Sequence, residues 1–259
     1  MRRSALGCAI ALAVAGAATA PSVAAPAKPQ KPAAVSKFLQ PGELDPAQLL
    51  PPPPADGSPE ALAEIAELHR LEVTARTPQR FALAKHDDEF EDVTSIAAPL
   101  GSAFDLKALP ATAALFADLR TEDSIAAKRF KAYFQRTRPR VADPTLNPCK
   151  GGEGADASKT AYPSGHATMG YAAAAVLANL MPQDAGVIQA RAADYAESRL
   201  ICEAHYRRDI EAGHVLGVAL VAELMTKPAF RQELEAARAE LALSLANRHR
   251  DPKARLSAQ

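Results

Sequence analysis

Residues Ser198 to Asp209 read SRLICEAHYRRD, and this stretch decides how the helices on either side of it meet. His205 and Asp209 are four residues apart, so on a helix they would share one face. The carboxylate can then hold one imidazole nitrogen while the other points outward, which prepares a histidine to act as a nucleophile or a general base. Arg199 adds a planar, permanently charged group that suits the oxygens of a phosphate.

The spacing of Arg199 and His205 predicts a break between two helices. Six residues at about 100° each would place the two side chains on different faces of one continuous helix. We therefore expect the helix to stop within Ile201–Glu203, which would let both side chains meet one ligand.

Two upstream segments fit the same anion. In KAYFQRTRP, Lys131 and Arg138 are nearly two helical turns apart, so both are expected to project from one side of a helix that the following proline ends. In YPSGH, residues 162–166, the glycine lets backbone amides approach an anion, and Ser164 adds a hydroxyl donor. The apolar run from Ala167 predicts a helix whose N-terminal dipole faces that anion.

Together these segments resemble the three-part signature of the type 2 phosphatidic acid phosphatase superfamily, which also contains the vanadium haloperoxidases. The signature here is Lys131-x6-Arg138-Pro139, then Pro163-Ser164-Gly165-His166, then Ser198-Arg199-x5-His205-x3-Asp209. Features outside it are similar to class A bacterial non-specific acid phosphatases: LLPPPP at 49–54, Tyr162 before the second segment, and Ile201-Cys202 before the histidine. The resemblance covers residues 38–225.

The resemblance implies a covalent mechanism that uses no metal ion or other cofactor. By this analogy His205 attacks phosphorus and forms a phosphohistidine, Asp209 orients His205, and His166 protonates the leaving alcohol and then activates water. The residues expected to bind the phosphate oxygens are Lys131, Arg138, Ser164, Gly165 and Arg199. Histidine has an unperturbed pKa of about 6.5 and phosphate a second pKa of about 6, so one protonated and one neutral histidine favour activity in mild acid.

The implied activity is a broad-specificity acid phosphatase that acts on small phosphomonoesters and releases inorganic phosphate, with transfer to alcohols as a side reaction. A vanadate-dependent haloperoxidase is the nearest alternative enzyme, because the same cage of cations can hold vanadate. A non-catalytic phosphate-binding protein is a third interpretation, but it would not need His166, His205 and Asp209.

The first 25 residues predict a secretory signal peptide with cleavage near residues 20–25. Arg2 and Arg3 precede an apolar run that is shorter than the roughly 20 residues of a membrane span, and small residues follow it. We expect a periplasmic or secreted protein without membrane attachment after cleavage. The balance of 30 basic and 30 acidic residues does not favour a nucleic-acid partner, and the sequence leaves open whether a homo-oligomer forms.

Cleavage would leave two cysteines, Cys149 and Cys202. An even pair in an oxidising compartment predicts a disulfide, here between the loop after Arg138 and the segment before His205. Two free buried thiols are the alternative, and two cysteines alone do not support a metal site.

The fold class predicted for this chain is all-α. Alanine and leucine are abundant and no alternating strand pattern occurs. Residues 26–58 are rich in proline and predict an N-terminal arm, while residues 59–259 predict one compact helical bundle of the acid phosphatase and haloperoxidase type. Ser58 is expected to cap the first helix of the bundle.

Five further interpretations concern helices and charged residues. A helix from Gln79 is expected to run towards Leu100, and residues 110–136 are expected to form two helices that join near Thr121. The acidic cluster at 87–92 is interpreted as a solvated helix face or a wall beside the substrate. The side chains expected to flank the phosphate pocket are Arg136 and Arg140, and those expected to form surface ion pairs are Arg207 and Arg208.

Overall fold

The computed structural model describes residues 34–150 and 158–250, and its regular structure in these ranges is entirely helical. The all-α prediction is therefore confirmed. The helices are α1 (Pro46–Leu49), α2 (Pro59–Thr74), α3 (Pro78–Glu89), α4 (Val93–Ala97), α5 (Pro110–Phe134), α6 (Pro139–Ala142), α7 (Gly165–Leu180), α8 (Ala185–Ile201), α9 (Arg207–Leu224) and α10 (Pro228–Arg250). The expected signal peptide lies outside the described residues.

Helix α7 lies at the centre of the bundle, packed against α5, α8 and α9. Its sequence, GHATMGYAAAAVLANL, is dominated by small side chains, so neighbouring helices can approach its backbone closely. Most of its residues are buried, and Leu177 is fully enclosed. Because the helix begins at Gly165, this packing also fixes the position of the turn that the sequence assigns to the anion site.

Two glycines of α9 set the spacing between α9 and α7. A β-carbon at Gly217 would lie 2.5 Å from the Thr168 carbonyl oxygen, and one at Gly213 would lie 2.8 Å from the Ser164 carbonyl oxygen. Both neighbours are backbone atoms that cannot move aside on their own. The two helices therefore meet at a distance that only glycine permits at these positions.

The helix N-termini follow the capping signals in the sequence. Ser58 accepts the N–H of Ala61 at the start of α2, as predicted. Thr77 and Asp92 cap α3 and α4 in the same way. Each side-chain oxygen satisfies a backbone N–H that has no partner within its own helix.

Two helix predictions are wrong. The expected helix from Gln79 stops at Glu89, and a new helix starts at Val93, because Asp92 takes an extended conformation and caps it. The expected joint near Thr121 is absent, since α5 runs unbroken and the Thr121 hydroxyl donates to the Ala117 carbonyl oxygen inside the helix.

The described part of the proline-rich segment is packed onto the bundle. The buried carboxylate of Glu122 accepts the backbone N–H groups of Lys37 and Phe38 and the hydroxyl of Ser36. Phe38 then inserts edge-on against Phe230 of α10, with ring centroids 5.4 Å apart. The short helix α1 within this segment was not predicted.

Within the described ranges, no helix combines the length and the apolar character that crossing a membrane requires.

The close approach of α7 and α9 yields a prediction for Gly217→Ala. We expect the free energy of unfolding to fall by about 1–3 kcal/mol, because the steric overlap outweighs the roughly 1 kcal/mol by which alanine favours a helix. Gly186→Ala in α8 is the matched control, because a β-carbon there meets nothing within 4 Å. Denaturant unfolding of both variants measures the difference, and equal stability would contradict the packing argument.

Candidate active site

The structure brings all the predicted site residues together where several helix ends converge. Lys131 lies in the last turn of α5, and Arg199 lies in the last turn of α8. Ser164 caps α7, and its backbone N–H donates to the carbonyl oxygen of Asp209 at 2.9 Å. A β-carbon at Gly165 would lie 3.6 Å from the Lys131 amine, so the turn and this lysine face each other.

The predicted break between Arg199 and His205 is confirmed. Helix α8 ends at Ile201, and Glu203 has a left-handed backbone with φ of 50°. The Ala204 N–H donates back to the Arg199 carbonyl oxygen at 3.0 Å, which closes the turn. The chain therefore reverses its course between the two side chains.

The expectation that His205 and Asp209 share one helical face is wrong. Helix α9 starts at Arg207, so His205 lies in the connection before it. Asp209 still reaches His205, because it is the third residue of α9 and folds back to accept the Tyr206 N–H at 2.9 Å. The contact predicted from helical spacing is thus made by a helix-capping carboxylate.

The shared helix predicted for Lys131 and Arg138 is also wrong. Helix α5 ends at Phe134, and Gln135 has a left-handed backbone with φ of 50°. Arg138 is extended, with φ of −67° and ψ of 147°, as expected for a residue before proline. The two cations meet because the chain turns, and not because they share a helical face.

The contacts of His205 define its tautomer. Its Nδ1 lies 3.2 Å from Asp209 Oδ2, and its Nε2 lies 2.9 Å from Arg138 NH1. An arginine only donates, so Nε2 accepts and carries a lone pair, while Nδ1 carries the proton. Burial holds the pKa of His205 well below its usual value, and the charges of Arg138 and Lys131 lower it further.

His166 occupies the first turn of α7, and its ring stacks on that of Tyr195. Its Nε2 donates to the Asp88 carbonyl oxygen at 3.2 Å, and its Nδ1 lies 3.6 Å from Glu91 Oε1. Burial lowers the pKa of His166 well below its usual value, and the nearby charge of Arg199 adds to this effect.

Each histidine thus faces a carboxylate that an arginine holds in place. Arg136 NH1 donates to Asp209 Oδ1 at 2.6 Å behind His205. Beside His166, Arg120 donates to Glu91 Oε2 at 2.7 Å and to the Glu91 carbonyl oxygen. Arg120 was not assigned to the site from sequence, and Arg136, which was expected to flank the phosphate pocket, lies behind Asp209 instead.

The acidic cluster at 87–92 is not a solvated helix face. Asp87 and Asp88 are buried, and Asp88 accepts from Arg199 NH1 at 2.6 Å. Asp87 forms an ion pair with Arg191 and accepts the Ser198 hydroxyl. Asp88 and Glu91 therefore form part of a wall of the site, whereas Glu89 is exposed and Asp92 caps α4.

One buried hydrogen-bond donor beside this wall has no acceptor among the described residues. Arg199 is buried, and its Nε has no hydrogen-bond partner among the described residues. A buried guanidinium N–H without an acceptor is costly. Its position beside Asp88, next to the other cations, is suited to an anionic ligand that supplies the acceptor.

Cys149 and Cys202 form the expected disulfide, with Cα atoms 4.8 Å apart. The Cys149 N–H also donates to the Cys202 carbonyl oxygen at 3.2 Å. The bond ties the loop after Arg138 to the turn that precedes His205, so the two segments are held together at one point.

The remaining charged residues have structural surroundings. Arg207 pairs with Glu67 and Glu197, and Arg208 pairs with Glu211, as predicted. Arg140 lines a small groove beside Arg138 and Arg199. In the described ranges, no group of three or more histidine, cysteine, aspartate or glutamate side chains is arranged to hold a metal ion; metal independence stays a prediction.

Comparison with known proteins finds one matching family and several similar phosphatases. A family model described as the PAP2 superfamily matches residues 110–233. The chain is 34% identical over 211 residues to an acid phosphatase of Zymomonas mobilis, covering 79% of this chain and 78% of the relative. It is 31% identical over 212 residues to a non-specific acid phosphatase of Salmonella typhimurium, covering 80% and 84%. A non-specific acid phosphatase of Providencia stuartii is 29% identical over 204 residues, covering 77% and 82%.

The lowered histidine pKa values yield a prediction for binding of inorganic phosphate. At pH 7 both His166 and His205 are neutral in the empty site, and an added dianion offsets the cations that lower their pKa. The folded-state pKa values therefore rise on binding, and we expect uptake of about one proton. Calorimetry in buffers of different ionisation enthalpy measures it. The double variant His166→Ala/His205→Ala should lose most of the uptake, and proton release by the wild type would contradict the prediction.

Proposed function

The chain belongs to the PAP2 superfamily and is an acid phosphatase, and we propose that it hydrolyses phosphomonoesters through a phosphohistidine on His205. The observation that carries the proposal is the state of the His205 ring. Asp209 binds the protonated Nδ1, and the lone pair on Nε2 points at Arg138, among the cations suited to phosphate. A phosphate that draws the Arg138 N–H to its own oxygens frees this lone pair to attack phosphorus.

The proposed first step transfers the phosphoryl group to the enzyme. The Nε2 lone pair of His205 forms a bond to phosphorus while the bond from phosphorus to the ester oxygen breaks. His166, protonated when the dianion is bound, gives its proton to the departing alcohol. Asp209 stabilises the positive charge that develops on the His205 ring.

The proposed second step returns the enzyme to its starting state. His166, now neutral, takes a proton from water as the water oxygen attacks phosphorus. The bond between phosphorus and Nε2 of His205 breaks, and inorganic phosphate leaves. The two steps together consume one water and release one alcohol.

Charge stabilisation is supported by the surroundings of the ring. Lys131, Arg138 and Arg199 all lower the pKa of His205 through their charges, so all three lie close to the position proposed for phosphorus. The unsatisfied Nε of Arg199 and the N-terminus of α7 at Gly165 add donors. Positioning and charge stabilisation supply most of what phosphoryl transfer requires.

The substrate specificity, the phosphotransferase side reaction and the export of the protein belong to the same proposal. The curated relatives named non-specific acid phosphatases support broad specificity for the alcohol. A phosphohistidine that water can discharge can also be discharged by an alcohol, so phosphotransferase activity is expected. Export to the periplasm or medium rests on the N-terminal sequence pattern, and it accords with the disulfide between Cys149 and Cys202.

The nucleophile is tested by His205→Ala in hydrolysis of p-nitrophenyl phosphate at about pH 6 with EDTA present. We expect robust turnover by the wild type and a loss of at least about 10⁴-fold in kcat/KM in the variant, because the covalent route is removed. His214→Ala is the matched control, since that ring stacks on Tyr171 through a separate contact. Absence of turnover by folded wild type would overturn the phosphatase proposal, and a fully active His205→Ala would overturn the nucleophile.

The acid role of His166 is tested with leaving groups of different basicity. In kcat/KM, which reports the first step only, His166→Ala should lose about 10²–10⁴-fold with alkyl phosphates and much less with p-nitrophenyl phosphate, whose leaving group needs little protonation. Because the same residue activates water, the variant should accumulate an acid-labile phosphoenzyme in a rapid-quench experiment. Equal losses for both substrates would argue against general-acid catalysis by His166.

A further inference from the structure

Behind the proposed nucleophile lies a buried chain of alternating charges. His205 contacts Asp209, Asp209 accepts from Arg136 NH1 at 2.6 Å, and Arg136 NH2 donates to Glu64 Oε2. The Glu64 Oε1 atom accepts the Arg208 backbone N–H at 2.8 Å, and the Arg136 guanidinium stacks on the Tyr206 ring at 4.0 Å. The exposed fractions of Arg136, Asp209 and His205 are 3%, 0% and 1%.

The segment between α5 and α6 places one arginine on Asp209 and another on His205. Residues 135–138 form this segment, and Arg138 is extended. Arg136 reaches Asp209, Arg138 reaches Nε2 of His205, and the Thr137 hydroxyl between them donates to Asp56.

The donors around Asp209 require it to be an ionised carboxylate. Its Oδ1 accepts from Arg136, and its Oδ2 accepts from the Tyr206 N–H and from Nδ1 of His205. A protonated Asp209 would have no acceptor to donate to among these partners. Burial nevertheless raises the pKa of Asp209 to about 7, and the charge of Arg136 opposes this rise.

We infer that Arg136, braced by Glu64, is a positioning residue for phosphoryl transfer that keeps Asp209 ionised and thereby fixes the His205 tautomer. The inference rests on the proposed function, because it assigns a role to Arg136 in the same reaction. Arg136 does not touch the ring of His205, so it acts only through Asp209. Glu64 fixes the second side of the guanidinium fork, which limits its rotation.

Other titratable groups face the pair formed by Arg136 and Asp209. They are Glu64 of α2, Asp56 of the N-terminal segment, Lys131 of α5, Tyr162 before α7, and His205 and Tyr206 before α9. Of the cations that act on Asp209, only Arg136 is hydrogen-bonded to its carboxylate in the described structure. Removing Arg136 therefore raises the pKa of Asp209 further.

The first test is the pH profile of kcat/KM for Arg136→Gln. Activity needs ionised Asp209, so a higher pKa moves the acid limb of the profile to higher pH. We expect a shift of at least about one unit, with a loss at pH 5 at least about tenfold greater than the loss at pH 8. Arg208→Gln is the matched control, since its exposed side chain pairs with Glu211 and should leave the profile unchanged. A uniform loss at all pH values would overturn the inference.

A conservative variant separates charge from positioning and guards against misfolding of Arg136→Gln. Arg136→Lys keeps a positive charge beside Asp209 but lacks the fork that also reaches Glu64. We expect its acid limb to stay near that of the wild type, while kcat/KM falls at least about tenfold and inorganic phosphate binds within about twofold of the wild-type affinity. Kinetics identical to the wild type would contradict the positioning role.

A double-mutant comparison tests whether Arg136 acts through Asp209. Adding Arg136→Gln to Asp209→Asn should change kcat/KM by less than about twofold, because the group it acts on is already neutral. The full single-mutant loss in that background would overturn the inference.

Nuclear magnetic resonance of ¹⁵N-histidine-labelled protein gives a reading that needs no turnover. The wild type should keep the proton of His205 on Nδ1 above about pH 7, and Arg136→Gln should lose this state at a pH at least about one unit higher. If this difference is seen but the wild type has no turnover, the proposed function fails and only the effect of Arg136 on the tautomer is supported. If turnover is normal and the tautomer is unchanged in Arg136→Gln, the inference fails alone.

Discussion

The rest of the structure depends on gathering three positive side chains around one buried histidine. Lys131, Arg138 and Arg199 would repel one another, and burial together with the charge of Arg138 lowers the pKa of Lys131 to about 8. Such a cluster is stable only if negative groups oppose it. Asp88 contacts Arg199, and Asp209 faces the cage from behind His205, so carboxylates enclose the cations on the protein side.

The fold brings these charged side chains together because several helix ends meet at the site. The ends of α5 and α8 deliver the lysine and one arginine, while the starts of α7 and α9 deliver the glycine turn and the aspartate. The helix ends can meet because α7 and α9 approach closely at Gly213 and Gly217. The disulfide between Cys149 and Cys202 then fixes the loop that approaches the turn before His205. Close packing of the core helices thus brings the charged side chains together at the site.

The two histidines receive similar support from the protein, but in different settings. The carboxylate behind His205 is fully buried and held by a buried arginine, which suits a ring that must keep one tautomer. The carboxylate beside His166 is partly exposed, with a side-chain exposure of 27%, and Arg120 holds it at the rim. A partly exposed partner suits the proton exchange with the leaving group and with water that is proposed for His166. Preorganised charges of this kind contribute to catalysis without rearranging during the reaction.

The sequence by itself determined the fold class, the site residues that come together, and the break between Arg199 and His205. These follow from local rules: helical spacing, capping residues, and motif residues whose chemistry suits one anion. Only the tertiary structure decided that His205 and Asp209 do not share a helical face, that Asp87 and Asp88 are buried, and that Arg136 lies behind Asp209 while Arg120 holds Glu91. The Arg136 and Asp209 side chains are separated by 73 positions in the chain. No local periodicity can report that separation, because the partner of a charged side chain is chosen by how helices pack and not by the residues beside it.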